Sequence, residues 1–433
     1  MIFLEEALTK ALQRIGELET IVEENKELKK ENKELRQKLK KKSKPEFVKE
    51  DIRKRKKKTG QKNNHEGHGR YSPERIDETK EHTCEECPKC GGYNLSKVQE
   101  VRERITTDIP KKQEVVNTKH LIERRYCKDC KKMVEARVPD AFPNAQFGLR
   151  LMIFIMYLKI GMRLPSKKIT ELIKSMYGLV ISDGEVYKIL EQISQSFGGY
   201  YEDLKQKIIN APIKNIDETG WRIDGKNHWL WIFINKEVAL YEIDRKRSNE
   251  IPTEILGNQK DKFFGSDRLR AYNLFSEKTG AMQQVCWTHL LRNSKDLADQ
   301  YPEAKYIHKR MKYIYKKAKE GKTLTKKLIH WIDVMATSRT YKSTEVYKFL
   351  KSIFREHRKD LFRFVENPKI DSTNNIAERG LRHAVVMRKI SRGNRSQKGA
   401  DITKRLLSVT QTIKLNHSSP LTVMNNILQI SKL

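Results

Sequence analysis

Apolar residues in the first forty positions recur at alternating spacings of three and four. Leu18, Ile21, Asn25, Leu28, Asn32, Leu35 and Leu39 form one seam, and Leu4, Leu8, Ala11, Ile15 and Leu18 form another, joined by a three-residue slip. This predicts a coiled coil over residues 1–42, and asparagine at two of its a positions favours a fixed register and a parallel homo-oligomer. The alternative is an amphipathic helix lying on its own chain. The pattern then stops. Residues 43–75 carry the run Arg53, Lys54, Arg55, Lys56, Lys57 and Lys58, followed by Gly60, Gly67 and Gly69. So few apolar side chains cannot bury enough surface to fold alone, so a basic flexible linker is expected.

Helical periodicity returns over residues 141–205. Ile169, Leu172, Ile173 and Met176 share one helical face, Gly178 breaks it, and Ser182-Asp-Gly-Glu185 reads as a capping box opening a second helix through Val186, Ile189, Leu190 and Ile193. Helix, short turn, helix is a DNA-binding pattern that would place Lys188 toward a major groove; two packed core helices give the same pattern.

From residue 212 the period changes to that of strands. Ile213–Asp217, His228–Asn235, Glu237–Ile243, Lys262–Ser266 and Met282–Trp287 read as strands, with a tight turn at Asn235-Lys236 and a helix over Ser248–Leu256. The order β-β-β-α-β-α-β over residues 206–289 is that of a ribonuclease H-like fold. The whole therefore reads as a multidomain α/β chain.

Charge narrows the partners. Of 433 residues, 89 are Lys or Arg and 56 are Asp or Glu, a net charge of +33. Such an excess repels itself unless a polyanion neutralises it, which points to double-stranded DNA, with an anionic membrane surface as the weaker alternative. The longest apolar run, Leu151–Leu158, is too short to span a bilayer, and the charged first twenty residues are no signal peptide. A cytoplasmic protein is expected.

Five of the six cysteines fall between Cys84 and Cys130. Cys87-Pro-Lys-Cys90 and Cys127-Lys-Asp-Cys130 can each turn two thiolates toward one ion, and the strand-like stretch between them would bring the turns together as a zinc ribbon over residues 76–140. Four thiolates leave no open position, so this Zn²⁺ would be structural. Cys84 is surplus.

Two acids stand at expected strand ends, Asp217 and Asp267. In the fold read above their strands are neighbours, so both carboxylates could reach one divalent cation. A third acid, Glu378, lies in Asn374-Asn-Ile-Ala-Glu378-Arg379, with Arg382 one turn on to hold a phosphate. Each has a plainer reading: Asp217 and Asp267 as turn residues, Glu378 as the capping-box partner of Asn375. Glu218, Asp224, Asp244 and Asp371 are rival acids, and Glu218 would point to the opposite face of its strand from Asp217.

With these strings in order, the chain resembles the transposases of the insertion sequence sixty-six family, members of the DDE group. The strings are Asp217-Glu-Thr-Gly-Trp221 with Trp229-Leu-Trp231, Ser266-Asp267 with Ala271-Tyr272, Cys286-Trp-Thr-His289, and Asn374-Asn-x-Ala-Glu378-Arg379 with Arg388-Lys389. The resemblance implies that Asp217, Asp267 and Glu378 are the catalytic triad holding two Mg²⁺ (or Mn²⁺) ions. It implies cleavage at element ends and joining of 3′-hydroxyls to target DNA, in a bacterial, nucleoid-associated setting, with companion proteins from the same element. Cys286 and His289 would be the C-x-x-H signature of several such families, and Arg268, Arg379, Arg388 and Lys389 further DNA contacts. The distance from Asp267 to Glu378 leaves room for a helical insertion over residues 290–370, before closing helices over residues 371–433. The alternatives are a DNA-binding regulator or architectural protein of the same ancestry that does not cut, and a nuclease that cuts without joining.

Overall fold

The computed structural model describes residues 145–416 without a break, most of residues 75–143 and 419–430, and scattered positions from Arg14 to Glu34. It divides into two units, Met1–Asp108 and Ile109–Leu433. Arg53–Lys58, Cys87 and most of the residues 1–42 seam lie outside the described residues.

In the first unit the described positions from Arg14 to Glu34 are helical, with Leu18, Val22 and Leu28 exposed. The described residues from 75 to 107 contain neither helix nor strand. Here the structure departs from the strand-like stretch expected between the cysteine pairs, where among the described residues a strand begins only at Arg124. Val101 and Ile105 are exposed and outside any strand. Their isolated apolar side chains, set among charges, have no face to bury.

In the second unit, β1 (Arg124–Cys127) and β2 (Lys132–Glu135) form an antiparallel hairpin around Cys127 and Cys130. Helix α1 (Leu149–Met156) continues into a π-helical turn over Tyr157–Gly161. Next come α2 (Ser166–Tyr177), closed by Gly178 at φ 68°, α3 (Asp183–Ser196) and α4 (Gly198–Asn210). The capping box read from sequence is present: the Glu185 amide donates to Ser182 Oγ at 3.2 Å, and the Ser182 amide donates to the Glu185 carboxylate at 2.7 Å.

The sheet follows. Strand β3 (Ile213–Ile223) is far longer than the sequence pattern suggested, because β4 (Lys226–Ile234) pairs with it from Asn215↔Ile234 to Ile223↔Lys226. Asp224 (φ 50°) and Gly225 (φ 70°) make the two-residue turn between them, with the two positive φ values a type I′ hairpin requires. Asp217 therefore lies inside its strand, not at its end. Strand β5 (Ala239–Asp244) is antiparallel to β4, while β6 (Phe263–Ser266) and β7 (Met282–Val285) extend the other edge in parallel, giving the order β5-β4-β3-β6-β7. Helix α5 (Glu250–Leu256) precedes β6 and α6 (Arg270–Thr279) links β6 to β7.

Alternation along β4 explains the layering. Leu230, Ile232 and Ile234 face one core with Ala377, Leu381, Leu406 and the helices of residues 149–197. Trp231 and Phe233 face another with Tyr201, Leu204, Ile251, Tyr272 and Phe275. A strand covered on both faces needs this unbroken apolar run. The helical stretch of residues 141–205 thus shares its core with the sheet.

The expected insertion is helical: α7 (Trp287–Gln300), α8 (Ala304–Lys319), α9 (Thr325–Thr337), α10 (Thr344–Lys351) and the short α11 (Arg363–Glu366). It has its own apolar cluster, including Met311, Ile314, Leu328, Ile332 and Ile353. The chain then returns through α12 (Asn375–Ser391), α13 (Gln397–Asn416) and α14 (Pro420–Ile430). No helix among the described residues is long and apolar enough to cross a membrane.

Candidate active site

Strand β6 pairs with β3 only at Ile213–Asn215. Asp217 sits just past the point where this parallel pairing ends, and Asp267 directly follows β6. The Glu218 amide donates to Asp217 Oδ1 at 3.0 Å, and the Leu269 amide donates to Asp267 Oδ1 at 2.9 Å. The second bond turns the chain from β6 into α6. The Gln283 side chain steadies the same corner, donating to Ser266 Oγ at 2.8 Å and to the Asp267 carbonyl at 2.9 Å.

Asp217 senses its acidic neighbours. Burial, then the negative charges of Glu218 and Asp267, push the Asp217 carboxyl well above the ordinary aspartate range; the Glu218 amide and His289 offset this in part. A buried acid held against like charge is a place where a cation binds favourably.

Glu378 is in the first turn of α12. The helix is not capped as the plainer reading required: its N-cap is Asn374, which makes no side-chain cap hydrogen bond. That side chain is spent on β3. Asn374 Nδ2 donates to the Ile216 carbonyl at 3.0 Å, its Oδ1 accepts from Asn215 Nδ2 at 2.8 Å, and its amide donates to Cys286 Sγ at 3.2 Å. Gly265 on β6 is a close-approach position, since a Cβ there would strike the Asn215 amide group. Asn374 is thus the fastening that sets α12, and with it Glu378, against β3. Sequence reasoning gave it no role, and the double asparagine before Glu378 was the available signal.

Cys286 is the N-cap residue of α7, and His289 lies on the first turn of that helix. His289 Nε2 is 3.4 Å from Glu378 Oε1. One ligand atom from each of Cys286, His289 and Glu378 falls within 4.8 Å of the other two. Among the described residues this is the compact acid, imidazole and thiol cluster; Asp217 and Asp267 stand outside it. A hydrogen bond with Cys286, and the charges of Cys286, Glu378 and Asp267, outweigh burial and raise the His289 imidazole above its usual value.

Glu218 does face away from Asp217. Its side chain is 1% exposed, and its Oε1 accepts two bonds from Arg247, from Nε at 3.0 Å and Nη2 at 2.8 Å. Tyr272 Oη donates to Oε2. Tyr272 belongs to a string quoted from sequence, but its tie to Glu218 was not foreseen. Of the other rival acids, Asp224 is in the β3–β4 turn, Asp244 caps the Lys246 amide, and Asp371 is exposed.

The basic candidates separate. Lys188, Arg379, Arg382 and Lys389 are exposed. Arg388 is partly buried and donates to the Gly220 carbonyl. Arg268 is half-buried: its guanidinium donates to Ser352 Oγ at 3.2 Å and lies 5.1 Å from the Phe349 ring centroid, so it ties β6 to the insertion.

The sheet thus carries Asp217 on β3 and Asp267 at the end of the parallel β6, with Glu378 on a helix that returns to it. Residues 144–402 match the family described as "Transposase IS66 family". This span is more than half of the chain, and the protein belongs to that family of transposases. It is also 22% identical, over 383 residues, to "Uncharacterized protein y4hP" of Sinorhizobium fredii (strain NBRC 101917 / NGR234), covering 77% of this chain and 68% of that protein.

Proposed function

We propose that the chain is a DDE-type transposase with a ribonuclease H-like core, in which Asp217, Asp267 and Glu378 carry DNA cleavage and strand transfer. The observation that carries this reading is the placement of Asp217 on β3 and of Asp267 at the end of the neighbouring β6, with burial and the charges of Glu218 and Asp267 disfavouring an ion-free Asp217 carboxylate. Oxygen donors of this kind suit Mg²⁺ or Mn²⁺. Glu378 Oε1 is buried and makes no hydrogen bond, with His289 Nε2 facing it at 3.4 Å. When bound, two such ions activate the attacking oxygen and stabilise the leaving oxygen of an in-line displacement.

The chain's own groups do the rest. Asn374 fixes the start of α12 relative to β3, and the Leu269 amide holds the Asp267 carboxylate at the end of β6. Exposed Arg379 and Arg382 lie on the same helix as Glu378 and suit phosphate contact. On α8 the exposed Lys305, Lys309, Lys312, Lys316 and Lys319 follow a 4-3-4-3 spacing, a single basic stripe suited to a DNA backbone.

Homo-oligomerisation through residues 1–42 belongs to the same reading. So does zinc binding at the hairpin thiols Cys127 and Cys130. Hydrogen bonds from the Cys130 and Asp129 amides lower the Cys127 thiol, which favours a thiolate ligand.

The test is strand cleavage and joining on a labelled duplex carrying the element's own end, with Mg²⁺ and with EDTA, for the wild type beside Glu378→Gln. Metal-dependent joining lost in the variant, with DNA binding intact, supports the reading. Binding without any chemistry in the wild type favours the non-cutting regulator.

A further inference from the structure

Cys286, His289 and Glu378 form a cluster that the phosphoryl-transfer reading uses only at Glu378. Three observations set it apart from an ordinary packed strand end. Sulfur, nitrogen and oxygen ligand atoms all lie within 4.8 Å of one another. His289 Nδ1 and Glu378 Oε1 are both buried with no hydrogen-bond partner. The Asn374 amide donates to Cys286 Sγ at 3.2 Å, which holds the sulfur at the start of the helix that carries Glu378.

The residues come from two elements that the fold holds firmly. The Cys286 amide donates to the Ser266 carbonyl at 2.9 Å, and the Trp287 amide donates to the Ser372 carbonyl at 3.0 Å. Trp287 Nε1 donates to the Leu361 carbonyl at 2.6 Å, anchoring the helix start from the insertion side. Cys286 and His289 therefore arrive pre-set, and Glu378 meets them from α12.

We propose that Cys286, His289 and Glu378 form a second cation site, selective for a borderline-soft divalent ion of the Zn²⁺ type, with its fourth tetrahedral position left to solvent. Thiolate, imidazole and carboxylate are a zinc donor set, whereas Mg²⁺ takes oxygen ligands and is a poor occupant. Glu378 has one carboxylate to give. Zinc held here withdraws it from Asp217 and Asp267, so zinc acts as an inhibitor competing for the third acid. That consequence rests on the proposed function; the binding site does not.

The experiment counts zinc on the full chain without DNA, in equilibrium with a chromogenic chelator and millimolar Mg²⁺. Wild type is compared with Cys286→Ser and Glu378→Gln. The expected result is that both variants lose the same single equivalent, its affinity weakened by about 100-fold or more, while zinc at other thiols is retained. Glu378 is partly exposed, so its variant keeps the reading intact should Cys286→Ser fail to fold. Unchanged stoichiometry and affinity in Glu378→Gln would overturn the site. In a separate joining assay, inhibition should appear over the concentration range in which this equivalent fills. Undiminished joining at saturating zinc would overturn the competition while leaving the binding result to stand by itself.

Discussion

Asn374 and Asn215 are joined side chain to side chain at 2.8 Å across 159 residues of sequence. The bond ties the start of α12 to the strand that bears Asp217, and both amide groups are buried. Asn374→Ala leaves the Ile216 carbonyl and the Asn215 amide without this partner. A stability loss of about 1–3 kcal/mol is expected. Because Glu378 then floats relative to β3, joining should fall by about 100-fold. Urea midpoints and single-turnover joining rates check the two parts. Gly265→Ala should reproduce the activity loss, since the new methyl displaces Asn215.

Glu218 and Arg247 form the other fastening near the site. Glu218→Gln removes the charge that Arg247 and Tyr272 face. Arg247 is partly solvated and also sits 4.2 Å from the Trp229 ring centroid, so the cost should be moderate, roughly 1–3 kcal/mol. A double-mutant cycle with Arg247→Met should return a clear coupling energy. Additive effects would mean that the pair is not a unit.

His383, on α12 with Glu378, gives a separate pH signature. Burial holds its imidazole down to about 4. Its Nε2 is 2.7 Å from the Ile160 carbonyl in the π-helical turn, and its Nδ1 is 3.0 Å from Arg163. In the unfolded chain a histidine titrates near 6.5. Between these values the unfolded state binds the proton and the folded state does not, so stability falls as pH falls from about 6.5 to about 4. The ceiling is roughly 3 kcal/mol, reduced by solvent screening to on the order of 1 kcal/mol. His383→Gln should flatten that part of a plot of unfolding free energy against pH.

The hairpin thiols make a separate prediction. Cys130→Ser should remove one tightly held zinc from the purified full chain. Both hairpin strands are almost wholly exposed, so the main melting transition of the sheet should stay where it is. Elemental analysis and a thermal melt read the two quantities. A fall in the sheet's midpoint would place the hairpin in the core's cooperative unit.

What could be read from sequence was what local pattern encodes. The Trp229–Ile234 run, the Asn235-Lys236 turn and the Ser182–Glu185 capping box each depend on neighbours within a few residues, and each is present. The length of β3 was missed because Glu218-Thr-Gly resembles a turn and becomes strand only through pairing with β4. The Asn374 clamp, the contact of Glu378 with His289 and the commitment of Arg268 to Ser352 and Phe349 join residues 81 to 159 positions apart. No periodicity encodes such contacts. Of the strands expected between the cysteine pairs, Arg124–Cys127 is present, while Val101 and Ile105, apolar residues without a face to bury, stand outside any strand.

The central claim is that Asp217 and Asp267 hold the metal that serves strand joining. Its most direct test replaces each aspartate by cysteine and assays joining in Mg²⁺ and in Mn²⁺. A thiolate ligates Mg²⁺ poorly and Mn²⁺ better. The account predicts that Asp217→Cys and Asp267→Cys are inactive with Mg²⁺ and regain joining with Mn²⁺, while the wild type works with both. Full activity of either variant in Mg²⁺ alone would contradict it.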